Sequence, residues 1–217
     1  MSRLSPEEFA AEAGVSRETL ARLEAYAGLL AQWNERINLV GRESLRDPWR
    51  RHFLDSAQLL PYIPPETQSL IDLGSGAGFP GLVLAILGVP AVELIESDAR
   101  KCAFLREAAR IAEAPVAIRN TRIEAIAPHR VDIVTARGCA SLDKLLVLAQ
   151  GFIGPQTTCL FLKGERAAEE LTAARRAWTM TASLHPSRSD PRGVIIALEQ
   201  IARRPDGRAG GVESGRA

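Results

Sequence analysis

The chain has 217 residues, 46% of them hydrophobic and 24% charged, which is enough apolar material to bury a full core and excludes disorder for the bulk of it. Its 27 Lys and Arg nearly cancel 26 Asp and Glu, leaving net +1, so a uniformly basic coat for nucleic acid is excluded and any basic face must be local. The length suits one domain with an extension. From the N-terminus, Ser5-Pro6-Glu7-Glu8 reads as a helix start. Ser5 caps, Pro6 takes the first helical position, Glu8 completes a capping box, and Gly14 ends the helix. A second start follows at Ser16, with Leu20, Leu23, Ala27, Leu30 and Trp33 at helical spacing. Asn34 to Gly41 breaks that pattern. A third helix is expected from Asp47-Pro48 through Trp49, Phe53, Ala57 and Leu60, where Pro61, Pro64 and Pro65 stop it. Residues 1–65 therefore read as a helical extension.

From residue 69 strands and helices alternate. Strands are expected at Ser69–Leu73, Ala91–Ile95, Val116–Ile118, Val131–Val134 and Thr157–Lys163. Helices are expected up to Leu87, over Asp98–Ala112, over Leu142–Ala149 and over Glu165–Ala177. Such alternation implies right-handed crossovers and a parallel sheet covered on both faces. Two last strands, near Thr179–Leu184 and Val194–Ile201, have too short a connection for a crossover and should pair antiparallel. Residues 66–202 form the expected sheet domain. From Arg203 the chain turns Gly- and Arg-rich without periodicity and reads as a flexible tail, 203–217.

Three cysteines, Cys102, Cys139 and Cys159, are widely spaced and form no CxxC, and the three histidines are scattered. A disulfide frame and a structural zinc site are not expected, and reduced thiols in a cytosol fit best. The segment Met1 to Ala13 is mixed and acidic, unlike a secretory signal, and the longest apolar stretch, Leu82–Leu87, is too short to span a bilayer. Only three of the basic residues are lysines (Lys101, Lys144 and Lys163), which leaves 24 arginines. Arginine forks fit phosphate and stack on bases. A GC-rich coding bias gives the same excess.

The densest signal is Asp72-Leu-Gly-Ser-Gly-Ala-Gly78-Phe-Pro-Gly81, between the first strand and its helix. Open α/β sheets bind ligands there, outside the carboxyl ends of the strands. Gly74 and Gly76 let the backbone turn tightly and approach a ligand. A dinucleotide fingerprint requires a third glycine where Phe79 stands, and no Lys-Ser/Thr follows to grip a phosphate. The loop therefore points away from a pyrophosphate cofactor and towards S-adenosylmethionine. Glu96, 22 residues past Gly74, ends the second strand, where a carboxylate can accept both ribose hydroxyls. The competing reading of Glu96 is an exposed strand-end acid. Ile123-Glu124 follows the third strand and can bracket an adenine edge, although Glu124 also fits as a helix-start acid. Arg137 follows the fourth strand, at the mouth where substrate and cofactor meet, unless it is a solvated loop arginine. A mostly parallel sheet closed by an antiparallel hairpin is the methyltransferase variant of the doubly wound fold. The expected class is thus a Rossmann-like α/β, class I S-adenosylmethionine-dependent methyltransferase with an N-terminal helical extension.

The glycine loop resembles the cofactor loop of the RsmG (GidB) methyltransferases. Trp33-Asn34 with Asn38-Leu39, and Arg51-His52-Phe-Leu-Asp55-Ser56, resemble that family's N-terminal signature. Arg122-Ile-Glu124, Thr135-Ala-Arg137-Gly and Leu162-Lys163-Gly164 resemble its later blocks. The likeness runs over roughly residues 20–202, and Thr135 and Cys139 depart from it mildly. The resemblance implies methyl transfer from S-adenosylmethionine to guanine N7 of 16S ribosomal RNA, at the position written G527 in the 530 loop of the small subunit or its precursor. No membrane, no metal and a cytoplasmic site of action are expected from the cysteine, histidine and apolar spacing above. The resemblance maps cofactor contacts to Gly74, Phe79, Ile123, Glu124 and Arg137, and pocket or RNA-facing positions to Asn38, His52, Arg122 and Lys163. An S-adenosylmethionine-dependent methyltransferase acting on a protein or small molecule is the alternative.

The chemistry agrees with the first reading. Guanine N7 has an in-plane lone pair and no proton, so its methylation needs no general base. Alignment in a dry pocket carries the reaction, and the target base must be unstacked or flipped out. Arg36, Arg42, Arg46, Arg50 and Arg51, with Glu43 and Asp47, form a strip of net +3, and Arg100, Lys101, Arg106 and Arg110 form another. Each fits phosphate contacts or an ordinary solvated helix face. His52 reads either as a buried histidine holding Asp55 or as a substrate contact. Trp33 and Trp49, on apolar spacing, read as packing residues rather than base-stacking ones.

Overall fold

The computed structural model describes residues 3–205. Its helices are α1 (Pro6–Ala13), α2 (Arg17–Asn34), α3 (Asp55–Ala57), α4 (Gly81–Ile86), α5 (Ala99–Ile111), α6 (Leu142–Ala149) and α7 (Ala167–Ala174). Its strands are β1 (Leu70–Leu73), β2 (Val92–Glu96), β3 (Val116–Asn120), β4 (Ile133–Arg137), β5 (Thr158–Lys163), β6 (Trp178–Pro186) and β7 (Val194–Arg203). Among the described residues these strands form one sheet in the order β3-β2-β1-β4-β5-β7-β6. β1 to β5 run parallel, and β7 pairs antiparallel with both β5 and β6. The mostly parallel sheet with its closing hairpin is the architecture the sequence led to. No helix among the described residues is long and apolar enough to cross a membrane.

The order reverses beside β1, so β1 and β4 leave a crevice at their carboxyl ends, where ligands of such sheets sit. Period-two alternation divides the core between the two faces. Leu70, Leu94, Ile133 and Leu160 face a layer made of α4, α5 and the N-terminal helices. Ile71, Leu73, Ile95, Val134 and Phe161 face α6, α7 and Trp178. The N-terminal helices therefore supply part of one core layer: Phe9, Leu23, Tyr26, Leu30 and Phe53 are fully buried.

The helix boundaries follow local chemistry. Ser5 and Glu8 form a capping box, Gly14 ends α1 in the left-handed region, and Ser16 caps α2. Asp98 caps α5 by accepting from the Arg100 and Lys101 amides.

Three expectations need correction. The single helix from Asp47-Pro48 to Leu60 is instead a π turn over Trp49–Leu54, then α3, then a 3-10 turn over Leu60–Tyr62. The wide turn, in which the Asp55 amide reaches the Arg50 carbonyl, buries Trp49, His52, Phe53 and Leu54 together, more than one helical stripe can hold. The fourth strand begins at Ile133, not Val131, and ends on Arg137. Asp132 is occupied elsewhere: its carboxylate accepts from the Gln68 and Ser69 amides and the Ser69 hydroxyl. α7 is shorter than Glu165–Ala177 because Gly164 to Arg166 turn before it and the chain bends into β6 after Ala174. Arg203 closes β7, and residues 206–217 of the expected tail lie outside the described residues.

Candidate active site

At the carboxyl ends of β1, β2 and β4 lies a cavity of about 500 Å³, within the range of small-molecule sites. Of the positions singled out in the sequence, Gly74, Gly76, Phe79, Glu96, Arg122, Ile123, Glu124 and Arg137 all line it. Gly74 and Gly76 both adopt positive φ, +67° and +57°. A Cβ at Gly74 would stand 2.6 Å from the Cys139 sulfur, whereas a Cβ at Gly76 would meet only the Gly74 carbonyl, at 3.8 Å. Gly76 thus presents bare backbone at the cavity wall. The Glu96 carboxylate is buried, not an exposed strand-end acid. Its two oxygens accept from the Gly76 amide at 3.0 Å and the Asp98 amide at 2.8 Å. Each oxygen keeps a further lone pair for a hydroxyl.

These residues fit S-adenosylmethionine. The glycines leave space where a Cβ would intrude, and Glu96 offers a carboxylate suited to a vicinal diol. Ile123 and Glu124 line the same cavity from a 3-10 turn.

The loop rests on the N-terminal helices. Tyr26 of α2 is fully buried and donates its hydroxyl to the Ala77 carbonyl. A Cβ at Gly78, itself at φ +93°, would lie 2.8 Å from the Tyr26 hydroxyl. The Phe79 ring stacks on Tyr26 (5.3 Å between centroids) and on His52 (4.9 Å), and the Arg137 guanidinium lies 4.8 Å from its centroid. Behind the loop, Asp72 is wholly buried and accepts from the Thr135 hydroxyl at 2.8 Å. Burial raises its pKa from 3.8 to about 6, against the lowering effect of the Thr135 and Ser75 bonds. Thr135 is thus the partner of the first acid in the loop.

Arg137 is the last residue of β4 and not a solvated loop arginine. One of its terminal nitrogens, Nη1, donates to Asp55 Oδ2 and to the Arg51 carbonyl, each at 3.2 Å. His52 is buried, but it does not hold Asp55. Its Nε2 meets the Ser44 hydroxyl oxygen at 2.9 Å, and that hydroxyl donates to the Gly41 carbonyl at 2.7 Å. Ser44 must therefore accept from Nε2–H, which leaves Nδ1 a bare acceptor with no partner among the described residues. Burial first, then Arg137 and Arg51, lower the His52 pKa to about 3, so the ring stays neutral. Asp55 instead accepts from Arg137, from Ser189 and from Gln58.

A second cavity, of about 270 Å³, opens beside the first and shares Arg137 and Gly138 with it. His52 and Lys163 line this one. The Lys163 ammonium turns away to the Ala140 carbonyl and to Glu170, each at 2.7 Å, and pins the loop after β4 to α7. Asn38 is exposed and lines neither of these cavities. Asn34 does the local work: its side-chain oxygen accepts from the Leu39 and Val40 amides, which sets those two apolar residues on the cavity wall. Asparagine at the last position of a helix, a few residues before a buried apolar pair, is the available signal for that role. The first basic strip is largely neutralised, with Arg46, Arg50 and Arg51 paired to Glu43, Asp47 and Asp190. Arg36 and Arg42 are exposed and make no ion pair among the described residues. In the second strip Arg100 and Arg110 pair with Asp98 and Glu107. Trp49 packs on Phe53 and Trp33 on Phe104.

Comparison with known proteins gives a family model described as rRNA small subunit methyltransferase G, which matches residues 19–189. A protein of Paramagnetospirillum magneticum named ribosomal RNA small subunit methyltransferase G is 54% identical over 200 residues, 92% of this chain and 98% of its own. One of the same name from Rhodospirillum centenum is 56% identical over 197 residues, 91% of each chain. Among solved structures, a ribosomal protein L11 methylase from Lactobacillus delbrueckii subsp. bulgaricus superposes with TM-score 0.58 at 13% identity, over 74% of this chain and 80% of its own. A glycopeptide N-methyltransferase complexed with S-adenosylmethionine gives TM-score 0.58 at 12% identity, over 68% and 93%. At such identities the structures speak for the fold alone.

Proposed function

The chain belongs to the rRNA small subunit methyltransferase G family, S-adenosylmethionine-dependent enzymes, and from that premise we propose that it methylates N7 of the guanine at G527 in the 530 loop of 16S ribosomal RNA. Its substrate is the small subunit or its precursor, and it works in the cytoplasm. The observation that carries this reading is the convergence of the Arg51–Ser56 segment on Phe79 and Arg137, two residues of the cofactor cavity's wall. A generic methyltransferase sheet accounts for the glycine loop and Glu96. The segment Arg51–Ser56 adds His52 against Phe79 and Asp55 against Arg137, at the border of the two cavities.

S-adenosylmethionine supplies an activated methyl group when bound. The chain's own part is to hold and to exclude. Gly74 and Gly76 bring backbone against the donor, Glu96 takes its ribose hydroxyls, Ile123 and Glu124 bracket its adenine, and Phe79 and Arg137 close the side nearest the base. Arg122, exposed at the rim, and the unpaired Arg36 and Arg42 suit phosphates of the RNA. No group is required to remove a proton from N7. The cysteine nearest the cavity agrees with that. Desolvation, then Asp72, Glu96 and Glu124, raise the Cys139 thiol above its usual value, which disfavours a thiolate nucleophile.

The test uses small subunits from cells lacking the gene, purified protein and radiolabelled S-adenosylmethionine. N7-methylguanosine at G527 alone is the expected product. Label elsewhere, or none, overturns the reading.

A further inference from the structure

The second cavity belongs to no part of the shared methyltransferase sheet alone. The π turn contributes His52, the start of α3 contributes Asp55, and the ends of β4 and β5 contribute Arg137 and Lys163. The β6–β7 turn contributes Ser189 and Asp190. The centre of this wall is the Arg137–Asp55 pair, whose side chains are only 21% and 17% exposed. Arg137 uses Nη1 alone among the described residues, so Nη2 and Nε remain as donors. Asp55 Oδ2 accepts only from Arg137 and keeps a lone pair, while Oδ1 is taken by Ser189 and Gln58. The pair therefore shows a free donor directly beside a free acceptor.

That pattern has a complement among the bases. Guanine carries the O6 acceptor next to the N1–H donor, whereas adenine carries the N6 amino donor next to the N1 acceptor. We propose that the Arg137–Asp55 pair reads the target base in the second cavity, with Arg137 donating to O6 and Asp55 accepting from N1–H. Position fixes the orientation as well. Arg137 borders both cavities and Asp55 only the second. O6 lies on the same side of the purine as N7, so a guanine seated with O6 on Arg137 turns N7 towards the cofactor cavity. An adenine must flip to match donor with acceptor, and flipping turns its N7 away. One ion pair thus selects the base and aims the reacting nitrogen. The inference rests on the guanine-N7 reading above.

The experiment uses the unmodified full chain and small subunits reconstituted with 16S RNA carrying guanosine, inosine, adenosine or 2-aminopurine at the target position. Inosine keeps O6 and N1–H and should be methylated at N7 nearly as well as guanosine. Adenosine and 2-aminopurine lack that edge, and their kcat/KM should fall about 10- to 100-fold. Asp55→Asn should lose turnover on guanosine by a similar factor, with donor affinity by calorimetry unchanged. Equal transfer to all four bases overturns the base-reading pair and leaves the function standing. No transfer to guanosine overturns both.

Discussion

The two cavities stand side by side and are built by opposite means. The larger one is built around the bare backbone of one contiguous loop and the carboxylate at the next strand end, Gly74, Gly76 and Glu96, with the turn holding Ile123 and Glu124 after a further strand. The smaller one is made of side chains that meet from far apart in sequence. Asp55 meets Arg137 across 82 residues and Ser189 across 134, and Arg51 meets Asp190 across 139. A pocket of bare backbone suits the donor that many methyltransferases share. A pocket of converging side chains can differ in every family on the same sheet, and substrate choice belongs there.

The sharpest way to break this contrast is Gly76→Arg. It fills the space that bare backbone leaves, so donor binding should be lost, at least about 100-fold in Kd by calorimetry, while the fold survives a backbone penalty of about 1–2 kcal/mol. Unchanged affinity would remove the loop from the site.

Next in size is the buried acid behind that loop. Asp72 has its folded pKa raised from 3.8 to about 6, so the folded chain binds the proton more tightly than the unfolded one. Stability from this group is fully present below about 3.8 and is lost as pH rises to about 6. Asp72→Asn should flatten that slope, by something on the order of 2–3 kcal/mol, in denaturant titrations run across the interval. Identical slopes in the two proteins would place the charge elsewhere.

Gln58→Ala attacks the other cavity. Gln58 is buried and donates to Asp55 and Ser187, and it accepts from the Arg188 amide. Its loss should cost about 1–3 kcal/mol and lower kcat/KM for the small subunit, with donor affinity unaltered. A matching loss of donor affinity would mean the cavities are not separable.

The smallest effect is expected from Tyr26→Phe, which keeps the ring and removes the donor to the Ala77 carbonyl. A weakening of donor binding equivalent to about 1 kcal/mol, with kcat unchanged, would mark the N-terminal helix as a support of the glycine loop.

The same contrast decides what could be read from the chain. Caps at Ser5, Ser16 and Gly14, and the run from Asp72 to Gly81, are local signals, because each residue's partner lies within a few positions. Of the eight cavity positions named from the sequence, Gly74, Gly76, Glu96, Ile123, Glu124 and Arg137 follow from strand ends, which the sheet aligns by rule, whereas Phe79 and Arg122 came from the family resemblance. The π turn was not legible, since apolar spacing over Trp49 to Leu60 is the same for a plain helix until burial widens it. Nor was the partner of His52, because Ser44 reaches it from the start of a single 3-10 turn too short to leave a periodic pattern. Lys163 carried a motif signal, but only packing reveals that its charge goes to Glu170.

The turn between β6 and β7 has a consequence for the order in which the molecule is made. Ser187, Arg188, Ser189 and Asp190 reach back to Gln58, Glu12, Asp55 and Arg51. A nascent chain leaving the ribosome from its N-terminus can set the glycine loop on Tyr26 long before those four residues emerge. The glycine loop is then seated early in translation, while the chamber beside it waits for the segment around Asp190 to be threaded home.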